Sequence, residues 1–165
     1  MSTLLREHLA ATDFSEYQAL RVELLGVLDD EDLAFRLGGA TLTLGQLCCE
    51  IGEIEHSYVQ ALRTFRQDFE WRHPDPRLER SVAALSMWFD ELDRDLKTAI
   101  AAVTDSDAAN RRISRVDFDP EDFLPLAAQD LDVYREALLI FYGKVSVYLR
   151  AMGRDLPGHW GHWIG

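Results

Sequence analysis

The sequence predicts an all-α protein built on four long amphipathic helices. Three observations predict it. Apolar residues recur at steps of three and four over four long stretches. Capping signals, prolines and glycines fall near the ends of these stretches. The one segment that alternates apolar and polar residues, Arg111 to Phe118, is short.

The first long helix is expected over about Phe14 to Leu28, preceded by a short turn from Thr3 to Ala10. Asp13 and Glu16 stand at capping-box spacing at its start, and Tyr17, Leu20, Leu24, Val27 and Leu28 recur at helical spacing. Asp29-Asp30-Glu31-Asp32 reads as a solvated turn, followed by the Gly38-Gly39 pair. Thr43 and Gln46 form a second capping box and open the second helix. Its stripe is Leu44, Leu47, Ile51, Tyr58, Leu62, Phe65 and Phe69, and it is expected to end before Pro74. A residue that precedes proline is pushed away from helical angles.

The third helix is expected from near Asp75, with Pro76 in its first turn. Leu78, Val82, Leu85, Phe89, Leu92, Leu96 and Ile100 carry its buried face. Asp105 to Asn110 reads as a polar linker, and Arg111 to Phe118 as an extended segment suited to a short ribbon. The fourth helix is placed near Leu124, because Pro125 fits a first turn and would break an interior. Tyr134, Leu138, Phe141, Val145, Tyr148 and Met152 alternate steps of four and three, the spacing of knobs-into-holes packing. Gly153 supplies a C-terminal stop, with Pro157 beyond it. Four helices with one apolar stripe each bury those stripes most economically in an antiparallel-type bundle. At 165 residues, the chain is expected to be one domain over 1–165.

Charge narrows the partners. With 29 acidic and 17 basic side chains the net charge is -12, which repels phosphate backbones and anionic lipid surfaces. Neither nucleic acid nor membrane is an expected partner. No stretch approaches the roughly 20 apolar residues of a membrane span. Charged residues at Arg6 and Glu7 interrupt what a signal peptide would keep apolar, so a cytoplasmic location is expected. Cys48 and Cys49 are the only cysteines. Neighbours on a helix point about 100° apart, so they read as packing residues with no disulfide between them.

Several local signatures then occur in order. One is Thr43-Leu44-Gly45-Gln46-Leu47-Cys48-Cys49-Glu50-Ile51, followed by Glu55. The next is Trp88-Phe89-Asp90-Glu91-Leu92-Asp93. The last helix carries Ala137 to Lys144 and then Leu149-Arg150-Ala151-Met152-Gly153. Together these resemble the DinB/YfiT family of helical bundles. The resemblance implies an up-down-down-up four-helix bundle with a long crossover and short extra segments. It also implies a homodimer formed along helix faces, and a Zn or Ni centre held by three histidines. In this chain the three positions hold Glu50, Ala137 and Phe141. Alanine and phenylalanine offer no donor, so the family's catalytic metal is expected to be missing and no cofactor is expected.

Glu50, Tyr134, Ala137 and Phe141 are the candidate pocket, with the small Ala137 leaving room. An alternative is an oxygen-rich site for a divalent cation made by Glu50, Asp130 and Tyr134. The plainer arrangement has Tyr134 hydrogen-bonded to Glu50 and Asp130 facing solvent. His159 and His162 are expected to pack with the aromatic tail, and His56 to form an exposed charge pair with Glu53. His8 and His73 stand at element ends with no visible partner. No Ser-His-Asp order, phosphate loop or dinucleotide turn occurs. The functional expectation is a small-molecule-binding or interaction protein. The alternative is a thiol transferase or isomerase with non-standard ligands, in which a metal would lower the pKa of a bound thiol. Leu139, Tyr142 and Tyr148 are expected to extend the apolar stripe outward as an interface patch.

Overall fold

Capping chemistry sets where the helices begin. In the computed structural model, which describes residues 2–10, 14–116, 123–158 and 160, helices form at α1 (Thr3–Leu9), α2 (Phe14–Gly26), α3 (Leu44–Thr64), α4 (Val82–Ala102), α5 (Asp105–Asn110) and α6 (Ala127–Ala151). Thr43 Oγ1 accepts from the Gln46 backbone N–H at 3.1 Å, and Gln46 Oε1 accepts from the Thr43 N–H at 3.0 Å. This reciprocal box satisfies two otherwise orphaned donors at the start of α3. The Asp13–Glu16 box expected for α2 lies outside the described residues, because Asp13 does.

Helix α3 ends at Thr64, well before Pro74. Phe65 takes the left-handed conformation at φ 59°. That geometry costs a non-glycine residue about 1–2 kcal/mol. Burial of the Phe65 ring with Ala61 and Ile113, and the Arg111 guanidinium 4.0 Å above it, offset the cost. The turn sends Arg66–Gln67 (β1) into parallel pairing with Ser114–Arg115 (β2). The short ribbon expected near Arg111–Phe118 thus forms over two residues, and its partner strand comes from what reads as helix.

The start of α4 also differs. Pro76 opens a separate 3-10 turn, Pro76–Glu79, capped by Asp75, whose carboxylate accepts from the Arg77 N–H at 3.0 Å. The α-helix starts six residues later at Val82. Ser81 Oγ accepts from Ala84 N at 3.4 Å, and Asp30 Oδ1 from Val82 N at 2.7 Å, so a second set of caps outcompetes the proline. Residues 105–110 are helical rather than a linker. Thr104 Oγ1 accepts from Asp107 N at 3.1 Å, and Asp105 and Asp107 sit in the first turn where the helix dipole favours them. Helix α6 begins at Ala127 rather than near Leu124, with Gln129 Oε1 accepting from Leu126 N at 3.0 Å. It stops where Gly153 adopts φ 72°. The acidic run after α2 is a 3-10 turn, Asp30–Ala34, held by Arg154 on Asp32 at 2.6 Å.

The long helices share one core. Leu24, Leu44, Val59, Leu85, Leu138, Val145 and Leu149 are fully buried. Each such side chain contributes roughly 1.5–3 kcal/mol of transfer free energy. Helix α3 packs on both α4 and α6. Two glycines permit this approach. A Cβ on Gly52 would overlap the Trp88 ring, and one on Gly45 would overlap the Glu79 carbonyl. Tyr148 OH donates to Leu42 O at 2.7 Å, and the buried Trp160 indole donates to Leu20 O at 3.2 Å. Among the described residues, no helix is long and apolar enough to cross a membrane.

Candidate functional site

Helices α3 and α6 leave a cleft between them. Glu50, Ala137 and Phe141 line it, together with Leu47, Ile51, Ile54, Ile140 and Lys144, and it encloses about 180 Å³. A wider hollow of about 460 Å³ shares Leu47, Glu50 and Lys144 with it and is bounded by Leu37, Leu42, Val147 and Tyr148. The walls are apolar because both helices present the edges of their core stripes here. One acid, Glu50, and one base, Lys144, line both hollows. Such a space suits a small apolar body with one polar group.

Tyr134, the fourth expected pocket residue, points elsewhere. It is fully buried, with its ring 5.4 Å from Phe14 and 5.0 Å from Tyr58. Among the described residues its hydroxyl has no hydrogen-bond partner, and it feels the charge of Glu55 rather than Glu50, so the expected bond to Glu50 is not made. Asp130 was expected to face solvent and instead is buried, with Oδ1 3.3 Å from Arg115 Nη2. Burial pushes its carboxyl up to about 6, against the pull of Arg115. Glu50, Asp130 and Tyr134 therefore engage three different surroundings: the cleft, Arg115, and the interior beside Glu55. Among the described residues, no three His, Cys, Asp or Glu side chains are grouped to hold a metal. At the three positions of the resemblance only Glu50 carries a donor, a set that does not fit Zn or Ni.

A buried ionic cluster joins α2, α3 and α4. Arg21 of α2 donates through Nη1 to Glu55 of α3 and through Nη2 to Asp93 of α4. Its guanidinium carbon lies 4.5 Å from the Phe89 ring centroid. Arg21 and Glu55 are fully enclosed, while the Asp93 side chain keeps 24% of its exposure. Burial alone would lower the Arg21 pKa, but Glu55, Tyr134 and Asp93 reverse this and hold it well above its ordinary value. Burial lifts Asp93 to about 7 despite Arg21, with Glu55 adding repulsion. The same enclosure raises the phenols of Tyr134 and Tyr142. Among the described residues, Arg21 Nε, Glu55 Oε1 and Tyr134 OH have no hydrogen-bond partner.

Sequence reasoning passed over this cluster. Its signal was present, because Arg21 sits in the apolar register Tyr17, Arg21, Leu24, Leu28 of the first helix. A charge at a core position implies a buried counter-charge, and only contacts between helices reveal that Glu55 and Asp93 supply it.

The remaining candidates take structural places. Cys48 and Cys49 are buried, and desolvation raises both thiols to about 12, which disfavours thiolate at neutral pH. His56 stacks on Trp71 at 3.8 Å rather than pairing with Glu53, and burial lowers its pKa. Glu53 instead accepts from the His73 N–H at 2.9 Å and lies 3.5 Å from Arg72 Nε. His73 Nδ1 accepts from Asp75 N at 3.1 Å, and His8 Nε2 lies 3.1 Å from Asp132 Oδ1, so both have partners. His159 and His162 lie outside the described residues. Of the expected outward patch, only Leu139 is exposed. Tyr142 and Tyr148 are buried, with their hydroxyls donating to the backbone carbonyls of Tyr17 and Leu42. No protein-family model matches the chain, and no curated protein matches it.

Proposed function

We propose that this protein is a cytoplasmic, DinB/YfiT-like four-helix bundle that works without the family's catalytic metal and binds a small, mainly apolar molecule between α3 and α6. A second copy of the chain is its expected partner. The observation that carries the ligand reading is the shared lining of one cleft by Glu50, Ala137 and Phe141, the three positions where the resemblance expects metal ligands. Two donorless side chains there turn a metal-binding corner into an apolar one.

The up-down-down-up order is supported by contacts between helices. Leu47 shares a cleft with Lys144 while Tyr58 meets Tyr134, as in an antiparallel pair. Gly45 approaches Glu79 while Gly52 approaches Trp88, as in a parallel pair. Arg21 reaches Phe89 and Asp93 while Leu25 and Leu28 share a hollow with Val82, as in an antiparallel pair. A parallel α3–α4 pair requires a crossover, and residues 65–81 supply it.

The test is methyl NMR with short-chain aliphatic acids and alcohols as probes. Shifts are expected at Ile51, Ile54, Ala137 and Ile140, and the Ala137→Phe variant, which fills the cleft, should lose them. Absence of shifts at millimolar probe would sink the ligand reading. Stoichiometric Zn or Ni that survives dialysis and disappears in Glu50→Ala would sink the metal-free one.

A further inference from the structure

Helix α6 carries an exposed, patterned face that shares Ile140 and Lys144 with the cleft and Val147 with the wider hollow. Ile140 is 59% exposed and Val147 51%. Glu136 and Lys144 are exposed and Val133 is half-buried. At about 100° per residue, positions 133, 136, 140, 144 and 147 fall within about 40° of one line along the helix. Among the described residues, neither Glu136 nor Lys144 has an ion-pair partner within the chain.

The order of residues is symmetric about Ile140. Glu136 stands four before it and Lys144 four after it, while Val133 stands seven before and Val147 seven after. The small residues Ala137 and Gly143 stand three on either side, and a Cβ on Gly143 would meet nothing within 4 Å. When two copies of a helix lie antiparallel across a two-fold axis, a residue n positions before the centre faces the one n positions after it in the other copy. Centred on Ile140, that rule sets isoleucine on isoleucine and Val133 on the partner's Val147. Glu136 meets the partner's Lys144, twice by symmetry. A parallel pairing would set carboxylate on carboxylate and amine on amine.

We propose that a second copy of this chain docks on this face, with α6 antiparallel to the partner's α6 and the two-fold axis at Ile140. Most of a surface with net charge -12 repels another copy. Here acid and base alternate one to one, so repulsion is least where the apolar side chains are exposed. The matched stretch from Val133 to Val147 covers about 21 Å of helix. Small residues flanking the centre let the two axes approach to the near end of the usual 8–10 Å. The inference gives the expected homodimer its interface. It does not rest on the cleft holding a ligand, because it stands on the residue pattern of α6 alone, although Ile140 and Lys144 also line the cleft.

Charge reversal tests the pairing. Sedimentation equilibrium at low salt should find the wild type dimeric at about 100 µM, in the range of ordinary reversible association. Glu136→Lys should weaken association by about tenfold or more, because two like-charged contacts form per dimer. Glu136→Lys combined with Lys144→Glu should restore it. Glu136→Lys is the cleaner single change, since Glu50 borders Lys144 in the cleft and Lys144→Glu also crowds two carboxylates within one chain. Ile140→Cys should cross-link to itself under mild oxidation, while Met87→Cys, highly exposed on α4, should not. The native thiols are buried and do not interfere. A monomeric wild type, a single reversal without effect, or a double reversal no tighter than the single one would overturn the proposal. So would cross-linking at Met87→Cys in place of Ile140→Cys. The cross-linking arm decides the question if a charge reversal impairs folding, and probe shifts at Ile51 and Ile54, on α3 and outside the paired face, report separately on ligand binding.

Discussion

Replacing Arg21 by methionine keeps a side chain of similar length and removes the cation that Glu55 touches in the core. Glu55 is then an uncompensated buried carboxylate, and Asp93 loses the same partner. Breaking a buried pair in this way costs about 3–5 kcal/mol. Asp93 retains a quarter of its exposure and can regain hydration, so most of the cost falls on Glu55. A domain of this size has about 5–15 kcal/mol of stability in total, so the loss is a large share of it. At roughly 2–4 °C per kcal/mol, melting should fall by about 6–20 °C. Urea unfolding followed by circular dichroism gives the free energy directly. The companion variant Arg21→Met with Glu55→Leu and Asp93→Leu should recover most of the loss, because an apolar replacement removes all three desolvation costs together. A cost below about 1 kcal/mol for Arg21→Met alone would refute the view that Glu55 depends on the Arg21 guanidinium for its place in the interior.

Two other substitutions probe separate features. Asp130 is lifted to about 6 in the fold, against an ordinary carboxyl value of 3.8, so the folded chain keeps a proton that the unfolded chain has already lost. Stability from this group is therefore full below the unfolded value and declines as pH rises through the window from 3.8 to about 6. Asp130→Asn should flatten the urea midpoint across that window, leaving the overlapping contribution of Asp93 up to about 7, and an unchanged slope would contradict the burial argument. Gly45→Ala places a methyl group against the Glu79 carbonyl, a backbone atom that cannot rotate away. It should destabilise by about 1–3 kcal/mol, whereas Gly26→Ala, which meets nothing within 4 Å, should not; equal effects would deny the close contact between α3 and the Pro76–Glu79 turn.

Local chemistry in the sequence determined a good deal. The Thr43–Gln46 box, the stop at Gly153 and the three-four spacing from Tyr134 to Tyr148 each depend on atoms a few residues apart, and each is found in the structure. Where two local signals compete, tertiary contacts choose between them. Ser81 wins over Pro76 because Asp30, far away in sequence, also caps Val82. Helix α3 stops at Thr64 because Phe65 is buried beside Ile113 and β1 finds a partner at β2. The candidate site divides in the same way. Glu50, Ala137 and Phe141 come together because Phe141 belongs to a readable stripe and the other two border one, whereas Tyr134 and Asp130 turn toward surroundings that spacing along one helix does not specify. The Arg21–Glu55–Asp93 cluster is the clearest case. A guanidinium at a core position shows that a counter-charge must exist, but three helices must pack before two carboxylates converge on its two nitrogens, and the Coulomb energy that holds them depends on distances only the folded chain sets.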